Sequence, residues 1–528
     1  MQTGVCIFML KISRIEKAAQ LNRDELFRFG TALLFIVGIM LFTIVRTDSG
    51  THGVLLVIAA MVGGYMAMNI GANDVANNVG PAVGSHAITL VGAISIAALF
   101  EASGALIAGG DVVGTIKNGI IDPVLIADND TFIWLMIAAL LSAALWLNLA
   151  TALGAPVSTT HSIVGGVLGA GIAAGGWSIA DWNQVGQIVA SWIISPLLGG
   201  IIAAFFLYLI KRTITYQDDV MGSAKRIVPI LVAIMAWAFG TYLMLKGVKQ
   251  VWKVSFGFAA LVGSGFAVMA YLSVRPHVRL LSSRLTNSKE GVNELFTVPL
   301  ISAAALLSFA HGANDVANAV GPLAGINEAI VGGAIAAKAS IPAWVLLVGA
   351  LGIALGLALY GPKLIRTVGS EITELDRMRA FCIAMAAAIT VIVASQLGLP
   401  VSSTHIAVGG VFGVGFLREY LKVNYARMVE EIRRHHSEND PQEVEAFLAR
   451  FEAANVTVKS EMLRELKSRS AGKLLSKSER KGLGRINRLE LVKRSLLLLI
   501  VAAWLVTVPF SGLLGAIFFF MIRGIMLP

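Results

Sequence analysis

Two stretches of the chain place a carboxylate among amides inside otherwise apolar sequence. Gly71-Ala72-Asn73-Asp74-Val75-Ala76-Asn77-Asn78-Val79-Gly80-Pro81 returns as Gly312-Ala313-Asn314-Asp315-Val316-Ala317-Asn318-Ala319-Val320-Gly321-Pro322, with Asn78 against Ala319 as the single change. Each copy ends an apolar run, Val54 to Ile70 and Phe296 to Ala310. On a helix, positions 73 and 77 share a face, and 74 shares its face with 78. Asn73, Asp74 and Asn77 therefore offer oxygens over one turn, as do Asn314, Asp315 and Asn318. Such oxygens suit a hard cation such as Na⁺, by the logic that governs Ca²⁺ and Mg²⁺ sites. An ionisable group at the centre of a membrane helix costs about 2.5–3.5 kcal/mol, so it faces a polar cavity or a partner. Gly80-Pro81 is expected to stop the helix directly afterwards and free backbone carbonyls.

A second motif also occurs twice, as Pro156-Val157-Ser158-Thr159-Thr160-His161 and Pro400-Val401-Ser402-Ser403-Thr404-His405. The proline breaks the incoming helix, and Ser158 or Thr159 can cap the outgoing one. Free N–H groups and the positive dipole end favour an anion there. The hydroxyls of Ser158, Thr159, Thr160, Ser402, Ser403 and Thr404 add neutral donors, so an oxyanion can bind and still be released. Glu101, Thr115, His161, Thr367 and His405 are candidates for supporting or gating these sites. Aligning Gly114-Thr115-Ile116 with Arg366-Thr367-Val368 puts Ile353 opposite Glu101, which has no acidic counterpart.

These residues need long apolar elements to hold them. The chain is 56% hydrophobic and 14% charged with a mean hydropathy of +0.77, well away from the roughly 25% charged usage of soluble domains. Runs near twenty residues recur throughout, each long enough for a hydrocarbon core of about 30 Å. This describes an all-α polytopic membrane protein of about twelve to thirteen spans and disfavours a transmembrane β-barrel, whose segments are short and alternating. Two cysteines, Cys6 and Cys382, provide neither a disulfide framework nor a cysteine metal site. The net charge of +10 lies between the apolar runs, as expected of cytoplasmic loops rather than of a nucleic-acid surface.

The two motifs recur in the same order at nearly one spacing, so the chain is internally duplicated. Its organisation reads as follows: 1–52, a cytoplasmic segment and an additional first span; 53–210, a first repeat; 211–294, connecting spans and basic loops; 295–421, a second repeat; 422–494, a charged helical insert; 495–528, a last span. Residues 1–27 lack the cleavage site of a secretory signal and are expected to be retained. Loops 211–226, 275–289 and 361–379 and the insert after 418 are basic and should face the cytoplasm, while the acidic loop 109–130 should face out. Lys246, Lys249 and Lys253 fall on the wrong side of this path. In the insert, Asp440-Pro441-Gln442-Glu443 reads as a helix start, followed by an apolar stripe at Val444, Phe447, Leu448 and Phe451. An odd number of crossings separates the two motif helices, which makes the repeats inverted. Inverted repeats with broken helices or re-entrant hairpins, and sites near the midplane, are the pattern of secondary transporters.

With these residues the chain resembles the PiT family of inorganic phosphate transporters over nearly all of 53–421 and the last span. The resemblance is carried by both Gly-Ala-Asn-Asp-Val-Ala-Asn copies, both Pro-Val-Ser-x-Thr-His copies, Phe100-Glu101, the stretch Gly114 to Asp122, Ser191-Trp192-Ile193-Ile194-Ser195-Pro196, and Val508-Pro509-Phe510-Ser511-Gly512. It implies inorganic phosphate as substrate, a monovalent cation as driver, no cofactor and no enzymatic step, and a homodimer in a bacterial inner membrane. It also implies that the six Asn and Asp residues are cation or substrate ligands and that the Ser/Thr loops cradle phosphate. Proton-coupled bacterial members usually carry Asn-Asp-Thr-Ala-Asn. Both copies here have Val at the third place, which favours Na⁺ symport. The large insert precedes the last span instead of separating the halves, and Ala384 stands where eukaryotic relatives carry an acidic residue.

The rival readings share the scaffold or leave it. H⁺-coupled phosphate or metal-phosphate symport, and transport of sulfate or another tetrahedral oxyanion, need the same architecture. Phosphate can donate a hydrogen bond to a buried carboxylate and sulfate cannot, so Asp74 and Asp315 favour phosphate. Duplicated broken helices argue against a passive channel, and the absence of an Asp-x-x-Asp cluster argues against a phosphoryl-transfer enzyme.

Overall fold

The computed structural model describes residues 23, 25–47, 50–153, 157–247, 254–332, 341–371, 375–436 and 494–527. Apart from one isolated bridge between Ile121 and Ala180, their regular structure is helical. Ten helices are long and apolar enough to cross a membrane, or eleven with the bent pair Lys289–Leu295 and Thr297–Val331. The expected twelve to thirteen included the apolar runs of α7 (Thr159–Gly175) and α16 (Ser403–His436) as spans of their own. Instead each folds back on the helix before it, α6 (Asn129–Ala152) and α15 (Arg377–Gln396), to make a hairpin.

The repeats pack by exchange. The first Asn-Asp helix, α2 (Thr51–Asn73), lies on α14 (Ala343–Glu371), and the second, α12 (Thr297–Asp315), lies on α4 (Leu90–Ala108). A Cβ on Gly71 would sit 2.0 Å from the Ile353 carbonyl oxygen, and one on Gly312 would sit 2.2 Å from that of Glu101. Equivalent glycines thus meet equivalent carbonyls, which confirms the pairing of Glu101 with Ile353. Small residues let backbones approach where lipid gives no hydrophobic drive for association. The same exchange joins α16 to α8 (Trp182–Ile210) and α7 to α17 (Arg494–Met526), where Gly413 abuts Gly200 and Gly169 abuts Gly512. Large apolar side chains left exposed, such as Val91 and Leu99 on α4 and Ile193, Leu197 and Ile201 on α8, form lipid-facing stripes.

Three local expectations are corrected. The Asn-Asp helices do not stop at Gly-Pro, because the breaks fall at Asp74 and Val316, and Pro81 and Pro322 lie inside α3 (Val75–Gly84) and α13 (Ala317–Val331). A proline interior to a helix removes the bond to the carbonyl four residues back, so Asn77 and Asn318 each lose that partner. The acidic segment 109–130 is not all loop. It folds a helix, α5 (Gly110–Asn118), whose buried Lys117 pairs with Glu328 of α13. Lys246 is not a loop charge either: it is buried and donates to the Ser395 carbonyl at 3.2 Å, so it carries no topological signal. Lys249, Lys253, Pro156 and the expected helix start in the insert lie outside the described residues.

Candidate functional site

Two broken helices and two hairpin tips converge on the aspartates. Ser158 caps α7, its hydroxyl accepting from the His161 N–H at 3.2 Å, and Ser402 accepts from the His405 N–H at 3.3 Å. The capping serines are thereby fixed, and the residues that follow point at the Asn-Asp breaks. Thr159 donates to Asp74 Oδ2 at 2.5 Å and Thr404 donates to Asp74 Oδ1 at 3.2 Å. One carboxylate therefore ties the first hairpin to the second. Asp315 Oδ1 accepts from Thr160 at 3.1 Å and from Asn318 Nδ2 at 2.9 Å.

The asparagines lock the hairpins from the other side. Asn73 Nδ2 donates to the Val157 carbonyl and to Asp74 Oδ1, both at 2.8 Å. Its repeat counterpart, Asn314, donates to the Leu399 carbonyl at 3.2 Å and to Ser395 Oγ at 2.9 Å, and accepts from the Val401 N–H at 3.3 Å. Asn77 donates to Thr404, and Asn318 donates to Thr159 and Thr160, so each Asn-Asp helix grips the hairpin of the other repeat. The asparagines, aspartates, serines and threonines of this site are each at most 4% exposed, so its polar groups are closed off from water. Asn73 Oδ1, Asn318 Oδ1, Asp315 Oδ2 and Ser403 Oγ are buried without a hydrogen-bond partner. Buried oxygens in that condition are costly unless something coordinates them, and oxygen donors of this kind fit Na⁺.

Three residues that break the repeat symmetry form one line. Glu101 Oε1 accepts from Asn78 Nδ2 at 2.8 Å, and Glu101 Oε2 lies 2.7 Å from His311 Nδ1. On the far side of the ring, His311 Nε2 is 3.0 Å from Asp315 Oδ2, though without the alignment of a hydrogen bond. Asp74, His311 and Asp315 each bring a ligand atom within 4.8 Å of the others. Sequence reasoning missed His311, yet a signal existed, because the first repeat carries Ile70 at that place. Ile70 against His311, Asn78 against Ala319 and Glu101 against Ile353 are polar mismatches that meet in space.

The other expected residues sit further out. Thr115 donates to the Gly398 carbonyl at 2.7 Å and so holds the second hairpin's turn. Thr367 lies in α14, and its side chain is outside what is described. His161 and His405 join a row of four rings: Trp192 tilted on His161 at 3.7 Å, His161 tilted on His405 at 4.6 Å, and His405 stacked on Trp504 at 3.5 Å. Neither tryptophan was given a role from sequence, although Trp192 lies in the Ser191–Pro196 stretch that carries the resemblance. The two occupy equivalent places on α8 and α17, and the row lines an apolar cavity of about 1130 Å³.

Inverted repeats whose helix N-termini and broken helices enclose a dry polar site define a multi-pass membrane transporter. Comparison with known proteins gives the particular kind. The phosphate transporter family model matches residues 70–515, and the chain belongs to that family. A Helicobacter pylori (strain J99) protein named as a phosphate permease is 53% identical over 518 residues, covering 96% of this chain and 97% of that protein. A Pyrococcus furiosus protein with the same designation is 41% identical over 372 residues, covering 70% of this chain and 89% of that one. A solved structure titled as the sodium-dependent phosphate transporter superposes with a TM-score of 0.73 at 31% identity, covering 90% of this chain and all of that one.

Proposed function

We propose that this phosphate transporter is a secondary active importer, driven by Na⁺ symport through alternating access, working as a homodimer in a bacterial inner membrane. The observation that carries the reading is Asp74, whose carboxylate bridges Thr159 of one hairpin and Thr404 of the other. Among the described residues, none of the groups bonded to Asp74 or Asp315 is a Lys or Arg. One imidazole, His311, serves both Glu101 and Asp315, so two aspartates this close in a dry site still need a further counter-charge, and the partnerless Asn73 Oδ1 and Asn318 Oδ1 beside them are where a Na⁺ would supply it. Asn73, Asp74, Asn77, Asn314, Asp315 and Asn318 are then the cation residues. Phosphate enters between the N-termini of α7 and α16, using the Ser158–Thr160 and Ser402–Thr404 turns. The threonine hydroxyls that now serve the aspartates become donors to phosphate once Na⁺ holds the carboxylates. Because the site's polar groups are closed off from water, either face is reached only when the hairpins move relative to the Asn-Asp helices. Its titled function makes the similar solved transporter a further support for Na⁺.

Proton coupling has one observation in its favour, the Glu101–His311–Asp315 line of titratable groups, whose neighbouring atoms lie 2.7 and 3.0 Å apart. The experiment that separates the two uses purified protein in liposomes and labelled phosphate. An imposed Na⁺ gradient at equal pH should drive accumulation, a pH gradient without Na⁺ should not, and excess sulfate should not compete. Accumulation on the pH gradient alone would replace Na⁺ by H⁺.

A further inference from the structure

Away from the transport site, the C-terminal end of α8, the start of α15 and the middle of α16 enclose a pocket of about 260 Å³ lined by Lys211, Lys289, Arg379 and Arg418. Each cation comes from a different one of the four basic segments that the charge pattern assigns to the cytoplasm: 211–226, 275–289, 361–379 and the region from 418 onward. Residues 39 or more positions apart in the chain are thus gathered on one side of the protein. Like charges brought together in a partly buried space repel, and a fold keeps them so when an anion is to fill the gap. Asp376 is the single carboxylate among the described lining residues. Its Oδ1 already caps the Arg379 N–H at 2.9 Å, and its Oδ2 meets Arg379 Nε at 2.9 Å and Nη2 at 2.8 Å. Lys211 Nζ stands 5.4 Å over the Tyr216 ring, which holds it toward the pocket. The floor is apolar: Leu207, Ile210, Met378 and Leu421.

We infer that this pocket is an anion site separate from the transport pathway and that it binds a phosphate group, carried by an anionic phospholipid headgroup or free in solution. Two donor types, a pair of ammonium groups and a pair of guanidinium groups, match a phosphate with several oxygens to share, and Arg can take two of them side by side. Basic pockets between membrane helices on the cytoplasmic side are the usual seat of anionic headgroups. The apolar floor gives a headgroup's glycerol and first methylenes a surface to lie on, which free phosphate does not use. The inference stands independently of the coupling ion and of the transport residues.

The test reads amine-reactive labelling of Lys289, which is exposed, by peptide mass spectrometry of the full chain in nanodiscs. Wild-type protein is compared in phosphatidylcholine alone, in phosphatidylcholine with millimolar inorganic phosphate, and in phosphatidylcholine with phosphatidylglycerol. Protection by phosphatidylglycerol identifies the lipid as the source, and protection by inorganic phosphate identifies the free anion. In the variant Lys211→Gln/Arg418→Gln the ligand concentration for half protection should rise about fivefold per cation removed, about 25-fold for the pair. No protection by either ligand overturns the site. Equal protection in wild type and variant overturns it as well, since only a general surface effect would then remain. Phosphate uptake by the same variant, in the same discs reconstituted to liposomes, checks that it is folded.

Discussion

The pairing of Glu101 with His311 can be removed by substitutions that the fold itself suggests. Ile353 occupies the place of Glu101 in the other repeat, Ile70 that of His311, and Ala319 that of Asn78. Glu101 and His311 are both 0% exposed and 2.7 Å apart, so Glu101→Ile alone leaves the ring without its partner and Asn78 without its acceptor. Breaking a buried pair on one side costs about 3–5 kcal/mol. Adding His311→Ile removes the stranded ring and leaves the Asn78 amide unsatisfied, about 1–3 kcal/mol. Adding Asn78→Ala removes that group too, but Asp315 remains and has lost the ring 3.0 Å from its Oδ2, so the network is only partly replaced. The double variant should therefore melt below the triple, and all three below wild type. A chain of this size shifts by about 1–2 °C per kcal/mol, so the single variant should melt about 3–10 °C low. Thermal unfolding in one detergent, followed by tryptophan fluorescence, reads this directly. If Glu101→Ile melts as high as wild type, the line through His311 is not a pair and the repeat correspondence behind these replacements fails.

Other outcomes follow from the same contacts. Ser158→Ala with Ser402→Ala removes two helix caps and should lower stability by about 0.5–2 kcal/mol each while weakening phosphate binding more than Na⁺ dependence, measured by melting and by uptake against phosphate concentration. Gly413→Ala would place a Cβ 2.0 Å from the Gly200 carbonyl oxygen and should sharply cut the yield of folded protein, whereas Gly265→Ala, with nothing within 4 Å, should not. A cysteine at position 124, 87% exposed on a short turn, should label from outside, and one at position 283 only from inside; both labelling from one side would undo the inverted arrangement.

Much of the architecture was legible because membrane helices announce themselves by length and apolarity, and because both motifs are written twice. The hairpins could not be counted correctly, since an apolar run such as Ile163 to Ala174 looks the same whether it crosses or turns back. Pro81 misled for a local reason: it lies inside α3, and the break belongs to Asp74, whose side chain is drawn to Thr159 and Thr404. Periodicity placed Asn73 beside Asp74, but only the fold shows that both clamp hairpin residues 84 or more positions away. The roles of His311, Trp192 and Trp504 were hidden because each is ordinary in its own helix, and they matter through partners in the other repeat.

The coupling assignment rests on the two aspartates, and the dependence of phosphate uptake on Na⁺ concentration in Asp74→Asn and Asp315→Asn decides it. Asparagine keeps the size and one oxygen, so at position 74 it can still accept from Thr404 and at position 315 from Thr160 and Asn318. What it lacks is the charge that offsets a desolvated Na⁺. Each variant should reach the membrane in near-normal amount, lose Na⁺-driven uptake and need much more Na⁺ to bind phosphate, because linkage ties each ligand's affinity to the other. Normal uptake with unchanged Na⁺ dependence in either variant would make that aspartate structural and contradict the cation site.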